Sequence, residues 1–124
     1  MAKDNLIDME VVITVSDPWE FGTMHGTGPF VARVLQVGVD QHIPGKKAIL
    51  LQLETPLTYQ GVTCEYFVGS PRLERGDICA LTKGDEVYCS LTRIPADRAT
   101  ATNPFDLSWW RGGIGLIGTL RDKE

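Results

Sequence analysis

Apolar and polar residues alternate along several short stretches of this chain, a pattern that predicts β-strands with one buried face. Residues 9–15 and 48–54 are rich in β-branched and aliphatic side chains, and a proline follows each stretch closely. In residues 30–39 both alternating sets contain apolar side chains. We therefore expect residues 30–39 to form a central strand that is covered on both faces for part of its length.

The second half of the chain predicts four more strands, at residues 61–69, 78–82, 87–94 and 112–120. The sequence Lys83-Gly84-Asp85 has the composition of a tight hairpin turn. Residues 95–101 break the alternation, and their initial proline is typical of the first turn of a short helix. The glycines in residues 112–120 indicate bends, which suit the closing strand of a small barrel.

Short strands separated by closely spaced turns predict an all-β fold. The expected architecture is a small, partly open β-barrel of about six or seven short strands with one or two short helical turns. A two-sheet β-sandwich is the alternative. The chain has 124 residues, the usual size of one domain, and contains no internal repeat or linker. We therefore expect residues 1–124 to form a single all-β domain.

The charge balance bears on the class of partner. The chain has 12 Lys plus Arg and 16 Asp plus Glu, which gives a net charge of −4. An acidic chain repels phosphate backbones at long range, so nucleic-acid binding is disfavoured. A basic protein would be attracted instead.

Several features predict a cytoplasmic protein. Residues 1–10 lack the apolar run of a signal peptide, and no apolar stretch has the length of a membrane span. The three cysteines, Cys64, Cys79 and Cys89, are odd in number and have no C-x-x-C spacing. Each lies among alternating apolar residues, so we expect core thiols in a reducing compartment.

The loop from Asp17 to Pro29 has the most unusual composition in the chain. It contains two carboxylates, Asp17 and Glu20, with His25 and three glycines. Histidine is suited to proton transfer near neutral pH, and glycines can expose backbone N–H groups to an anion. A site for a small ligand or a hydrolytic reaction at the barrel mouth is one interpretation. A glycine-rich surface connection is the other.

Residues 17–21 and 103–107 share one pattern: a helix-capping residue, proline, an aromatic residue, a carboxylate and an apolar residue. This order favours a capped helical turn, and we expect both segments to close ends of the barrel. Trp19 and Asp106 are the aromatic residue and the carboxylate that we take as candidate contacts for a partner.

The stretch after Phe105 contains the second candidate site. Phe105 and Trp109 fall on one side in either helical or strand geometry, while Asp106 and Trp110 fall on the other. We therefore expect Trp109 to be a core residue. Trp110 beside Arg111 has the composition of a binding hot spot. The alternative is that Trp110 covers the barrel rim and forms a local hydrogen bond.

Other chemistries have little support in the sequence. The two histidines and three cysteines are too dispersed for the three or four ligands of a zinc site, so we expect no metal and no cofactor. No Gly-x-Ser-x-Gly motif is present, and no serine has a base nearby in sequence. The missing catalytic set favours a protein that is not an enzyme.

We therefore expect a non-catalytic interaction module, monomeric or homodimeric, that binds a protein partner. Its acidity suits a basic partner, as an inhibitor or immunity-type protein would have. Trp110, Arg111, Asp106 and Trp19 are the candidate contact residues. A ligand-binding or hydrolytic site formed by Asp17, Glu20 and His25 is the alternative function. A nucleic-acid-binding barrel is the third.

Overall fold

In a computed structural model the chain forms six antiparallel strands that close into one barrel. The strands are β1 (Glu10–Asp17), β2 (Phe30–Val39), β3 (Lys47–Tyr59), β4 (Val62–Pro71), β5 (Val87–Ile94) and β6 (Gly115–Asp122). A 3₁₀ helix (Ile78–Lys83) lies between β4 and β5, and a one-turn helix, α1 (Ala96–Ala99), follows β5. The structure describes residues 6–17, 29–39, 46–59, 62–71, 77–94, 96–100, 105 and 115–123.

The prediction of a small all-β barrel is confirmed. Each strand pairs with the next, and β6 pairs back with β1 from Val11↔Asp122 to Asp17↔Ile117. This last pairing makes the ring closed rather than partly open, and it excludes the two-sheet sandwich. Closure joins β1 to β6, which would otherwise be the two edges of the sheet.

The barrel has two ends, which we name after the residues that bound β1. At the Glu10 end, β1, β3 and β5 begin and β2, β4 and β6 end. At the Asp17 end, β2, β4 and β6 begin and the other three strands end. Each connection between consecutive strands therefore leaves one strand and enters the next at the same end of the barrel.

Alternate residues of the strands fill the barrel interior. On β3, Ile49 and Leu51 point inward and are fully buried. Phe67 of β4 and Leu91 of β5 join the same cluster. The remaining buried members of this interior cluster are Leu6, Met9, Val11, Ile13, Ala32, Val34, Leu53, Ile78, Leu81, Val87, Cys89 and Leu120. Small barrels are filled by side chains in this way.

A second apolar cluster lies on the outer surface of the wall. Ala48 and Leu50, the residues of β3 between the inward-facing ones, pack here with Val68 of β4. Ala99 of α1 and Phe105 are buried against them from outside. Part of the wall is therefore covered on both faces.

β2 contributes to both clusters, and its alternation changes where its register shifts between Val34 and Gln36. Val34 lies in the interior, Leu35 packs against the outer cluster, and Val37 packs against the interior again. A bulge adds one residue and so reverses the alternation beyond it. The predicted coverage of residues 30–39 on both faces is confirmed, and the strand bounds are those predicted.

The predicted strand at residues 78–82 is wrong, because this segment is the 3₁₀ helix. Ile78 and Leu81 are three residues apart, which places them on one side of a 3₁₀ helix but on opposite faces of a strand. The Asp77 side chain accepts a hydrogen bond from Cys79 N (2.9 Å) and starts the helix. Gly84, at φ 86°, ends it. The predicted hairpin turn at Gly84 is therefore a helix cap.

The predicted end of the third strand at Pro56 is also wrong, because β3 continues to Tyr59. The register between β3 and β4 shifts between Gln52 and Leu57, and the exposed Pro56 lies within this interruption. Proline cannot donate to a strand ladder. It is tolerated here because none of the β-ladder pairs described for β3 involves Pro56.

Candidate functional site

Apolar side chains seal the Glu10 end of the barrel. The 3₁₀ helix contacts β3, β5 and β6, and β3 and β6 lie on opposite sides of a ring of six strands. The helix must therefore cross the end of the barrel. Ile78 and Leu81 are fully buried in the interior cluster. Leu6 and Met9, which precede β1, are buried in the same cluster.

Backbone hydrogen bonds fix the N-terminal turn at this sealed end. Asp8 N donates to Val34 O (2.8 Å), and Val34 N donates to Met9 O (2.9 Å). Lys123 N donates to Glu10 O (3.1 Å), and the Lys123 ammonium lies 3.4 Å from the Glu10 carboxylate. The chain before β1 and the chain after β6 are thus both held against the wall.

The Asp17 end is where the candidate segments from the sequence attach. β1 ends at Asp17 and β2 begins at Phe30, so the glycine-rich loop leaves and returns at this end. β6 begins at Gly115, a few residues after Trp110 and Arg111. Asp17 pairs with Ile117, so the strand ends that carry the two segments are direct neighbours.

Most of the candidate residues themselves lie outside the part of the chain that the structure describes: Trp19, Glu20, His25, Asp106, Trp109, Trp110 and Arg111. The backbone of Asp17 lies at the end of β1, but its side chain is not among those that the structure describes. The roles assigned to these side chains remain predictions.

Phe105 is the one described residue of the second capped-turn segment. It is buried on the outer surface of the wall, against Ala48, Leu50 and Val68. The sequence correctly placed Phe105 on an apolar side, but its contact is with the wall rather than with the interior at a barrel end.

A hairpin arm projects at the Asp17 end, and sequence reasoning missed it. Beyond Leu53, the described part of β3 pairs with no residue of β2, and before Tyr66 the described part of β4 pairs with none of β5. The arm, residues 54–59 and 62–65, is held by pairs such as Tyr59↔Val62. Two residues, Gln60 and Gly61, separate these strands in the sequence, and a short separation that contains glycine is a weak signal for a hairpin.

The described surface of the arm is polar. Glu54, Thr55, Pro56, Thr63 and Glu65 are all exposed. Two of these five side chains are carboxylates and none is basic. The register shift between Gln52 and Leu57 and the exposed Pro56 lie in the β3 half of the arm, and both features disfavour the pairing of a further strand with its edge.

The described interior of the barrel contains few side chains that could take part in a reaction or bind an ion. Among the buried residues of the described interior cluster, the thiol of Cys89 is the one ionisable side chain. Cys89 is fully buried and is not in a disulfide, as predicted. Cys79 is free but only partly buried, because it lies on the 3₁₀ helix rather than in a strand. The side chain of Cys64 is not among those that the structure describes, so its predicted burial stays a prediction.

Within the described ranges, no three His, Cys, Asp or Glu residues come together as a metal site. The helices of the described chain are also too short or too polar to cross a membrane. The chain matches none of the protein-family models, curated proteins or solved structures with which it was compared.

Proposed function

We propose that this protein is a non-catalytic interaction module that binds a protein partner through the Asp17 end of the barrel. The observation that carries the proposal is the difference between the two ends. Ile78 and Leu81 seal the Glu10 end, whereas the hairpin arm projects from the Asp17 end and the strand ends next to both candidate segments lie at that same end.

The packed interior supports a contact surface rather than a ligand cavity. Small-molecule sites are concave and combine apolar walls with a few polar groups. The described interior is filled by buried aliphatic and aromatic side chains from all six strands. A projecting arm suits the broad contact area of a protein–protein interface.

The charge of the molecule supports a basic partner. The net charge is −4, and the arm exposes Glu54 and Glu65. Such an acidic surface accelerates association with a basic protein, as in an inhibitor or immunity-type protein. We assign the anchoring contacts to Trp110 and Arg111, because Trp and Arg are the residues most enriched in binding hot spots, and we keep Asp106 and Trp19 as further candidate contacts.

Cys79 and Cys89 are thiols rather than members of a disulfide, which supports a reducing, cytoplasmic setting for this interaction. The protein would act there as a monomer or homodimer.

One observation favours the alternative, a small-ligand or hydrolytic site that uses Asp17, Glu20 and His25. Asp17 ends β1 at the Asp17 end, so the segment that carries the other two residues starts there. In that case His25 would act as the proton-transfer group and the carboxylates would orient it.

A binding experiment separates the two functions. The tagged protein is crosslinked in its own cells, the partner is identified by mass spectrometry, and the purified pair is measured by calorimetry. Trp110→Ala should weaken binding by more than about 1 kcal/mol. The double variant Glu54→Lys/Glu65→Lys should slow association and reduce its dependence on salt.

The matched control is Asp85→Lys/Glu86→Lys, which reverses two exposed charges at the Glu10 end. It should leave the association rate much closer to that of the native protein. His25→Ala should leave binding nearly unchanged. If His25→Ala abolishes a function that Trp110→Ala spares, the interaction module is wrong and the ligand or hydrolytic site is favoured.

A further inference from the structure

The outer cluster is a small packing unit of its own. On β3, Leu50 faces this cluster while its neighbour Leu51 faces the interior, and both are fully buried. Within the described chain, Ala99 of α1 and Phe105 belong to this outer cluster, and we call α1 together with Phe105 the outer cover. The cover therefore lies on one face of the wall and the interior cluster on the other.

A close contact fixes the cover to β2. The ring of Phe105 lies directly on Gly38, and a Cβ atom added at Gly38 would overlap the ring and come within 2.9 Å of its Cγ. Atoms do not approach this closely, so any side chain at position 38 would displace Phe105. Glycine is required here by the approach of the ring.

The cover depends on this packing for its order. α1 has four residues, and a helix of one turn is not stable in isolation. Its local hydrogen bonds include one from Thr100 Oγ1 to Asp97 O (3.1 Å). In the described chain the outer cluster has six buried residues and the interior cluster has sixteen, so opening the cover exposes much less apolar surface than opening the barrel.

We propose that the outer cover is a strap that opens as a unit while the barrel stays folded. Opening separates Phe105 from Gly38 and uncovers the outer apolar face of the wall, including Leu50 and Val68. The barrel keeps its interior cluster and its closed ring of strands in the open state. The inference is independent of the proposed function, because it concerns local opening and not binding.

Thiol labelling at two adjacent positions tests this inference. Leu50→Cys places a thiol under the cover, and Leu51→Cys makes the same change in the interior. Labelling is followed by mass spectrometry of peptides across a series of low urea concentrations. The thiol at position 50 should label at least about tenfold faster than that at position 51, with little dependence on urea, because local opening exposes little surface.

The contact between Gly38 and Phe105 is tested in the same background. Gly38→Ala and Phe105→Ala should each speed labelling at position 50 by about tenfold, the size expected for losing one packed contact. Combining them should add little to Phe105→Ala alone, because the clash disappears with the ring. Gly69→Ala is the matched control: its added Cβ would have ordinary contacts of 3.4–3.6 Å, so it should leave labelling at position 50 unchanged.

Equal labelling rates at positions 50 and 51, with the same urea dependence, would show that the cover opens only with the whole barrel and would overturn the inference. Additive effects of Gly38→Ala and Phe105→Ala would overturn the assignment of the contact. If Gly38→Ala does not fold, Phe105→Leu replaces it in the labelling experiment, because this substitution removes the ring without introducing a clash. It should also speed labelling at position 50.

Discussion

The two ends of this barrel differ in the side chains that the structure describes there. At the Glu10 end, a capped 3₁₀ helix and the N-terminal turn place four apolar side chains in the interior cluster. At the Asp17 end, β3 and β4 extend past their neighbours as a hairpin arm with exposed polar side chains. The residues that seal the Glu10 end are buried, whereas the described side chains of the arm are exposed.

The comparison shows how a small domain can combine stability with a variable surface. Packing that closes one end supplies apolar burial, the dominant favourable term in folding. The opposite end carries the exposed hairpin arm, and binding residues are found disproportionately often in such surface segments of rigid scaffolds. Substitutions at the two ends should therefore have opposite effects on stability and on binding.

The largest contrast is expected when a carboxylate is introduced at each end. Leu81→Asp would bury a charge in the interior cluster and should cost about 5 kcal/mol or more, enough to unfold the domain. Thr55→Asp on the exposed arm should change the free energy of unfolding by less than about 0.5 kcal/mol. Urea unfolding followed by circular dichroism measures both. A folded Leu81→Asp variant of native stability would show that the 3₁₀ helix does not seal the barrel.

Trp109 and Trp110 allow the same comparison of a core residue with a surface residue within one segment, the one that precedes β6. Trp109→Ala should cost about 3–5 kcal/mol, as for a buried large aromatic residue. Trp110→Ala should cost far less, near the small effect of a surface change, while weakening partner binding. Chemical unfolding of each variant provides the test. Equal destabilisation by both substitutions would place Trp110 in the core and remove it from the binding surface.

A smaller effect should come from the residue that ends the 3₁₀ helix. Gly84 has φ 86°, and a Cβ added there would meet nothing within 4 Å, so the cost of Gly84→Ala is conformational only. We expect a loss of about 1–2 kcal/mol in the free energy of unfolding. Gly84→Asn is the control and should cost less, because asparagine tolerates this conformation better. A neutral Gly84→Ala would mean that the left-handed cap does not matter for the seal.

The smallest effect concerns the residue that starts the same helix. Asp77→Ala removes the acceptor for Cys79 N and should cost about 1 kcal/mol. Asp85→Ala removes a carboxylate just after the helix, for which no side-chain hydrogen bond is described. It should stay within about 0.5 kcal/mol of the native protein. Thermal unfolding of both variants side by side measures the difference, and identical midpoints would argue against capping by Asp77.

Particular residues show where sequence reasoning succeeded. Alternation within residues 30–39 and 87–94 predicted β2 and β5 with their observed bounds, and it placed Val87, Cys89 and Leu91 on the inner face. These patterns are local, since each residue is compared with the one two positions away. They predict a strand wherever one face is consistently apolar.

Ile78 and Leu81 show where it failed. Their spacing fits a 3₁₀ helix, yet the surrounding apolar residues read equally well as a short strand. The candidate site was only partly predictable for a similar reason. The sequence selected the residues around Asp17 and Trp110, but it missed the hairpin arm because Pro56 resembled a strand end. Only the break in the ladder between β3 and β4 makes that proline acceptable.

The sequence by itself determined that this chain forms mostly short strands, where six of them approximately lie and which side chains alternate along β2 and β5. The tertiary structure decided that β1 pairs with β6, that the Glu10 end is sealed, and that Phe105 lies on Gly38. Local preferences depend on neighbours in the sequence and can be read from it. Closure and covering depend on contacts between residues far apart in the chain, such as Val11 and Asp122, whose pairing no local pattern encodes.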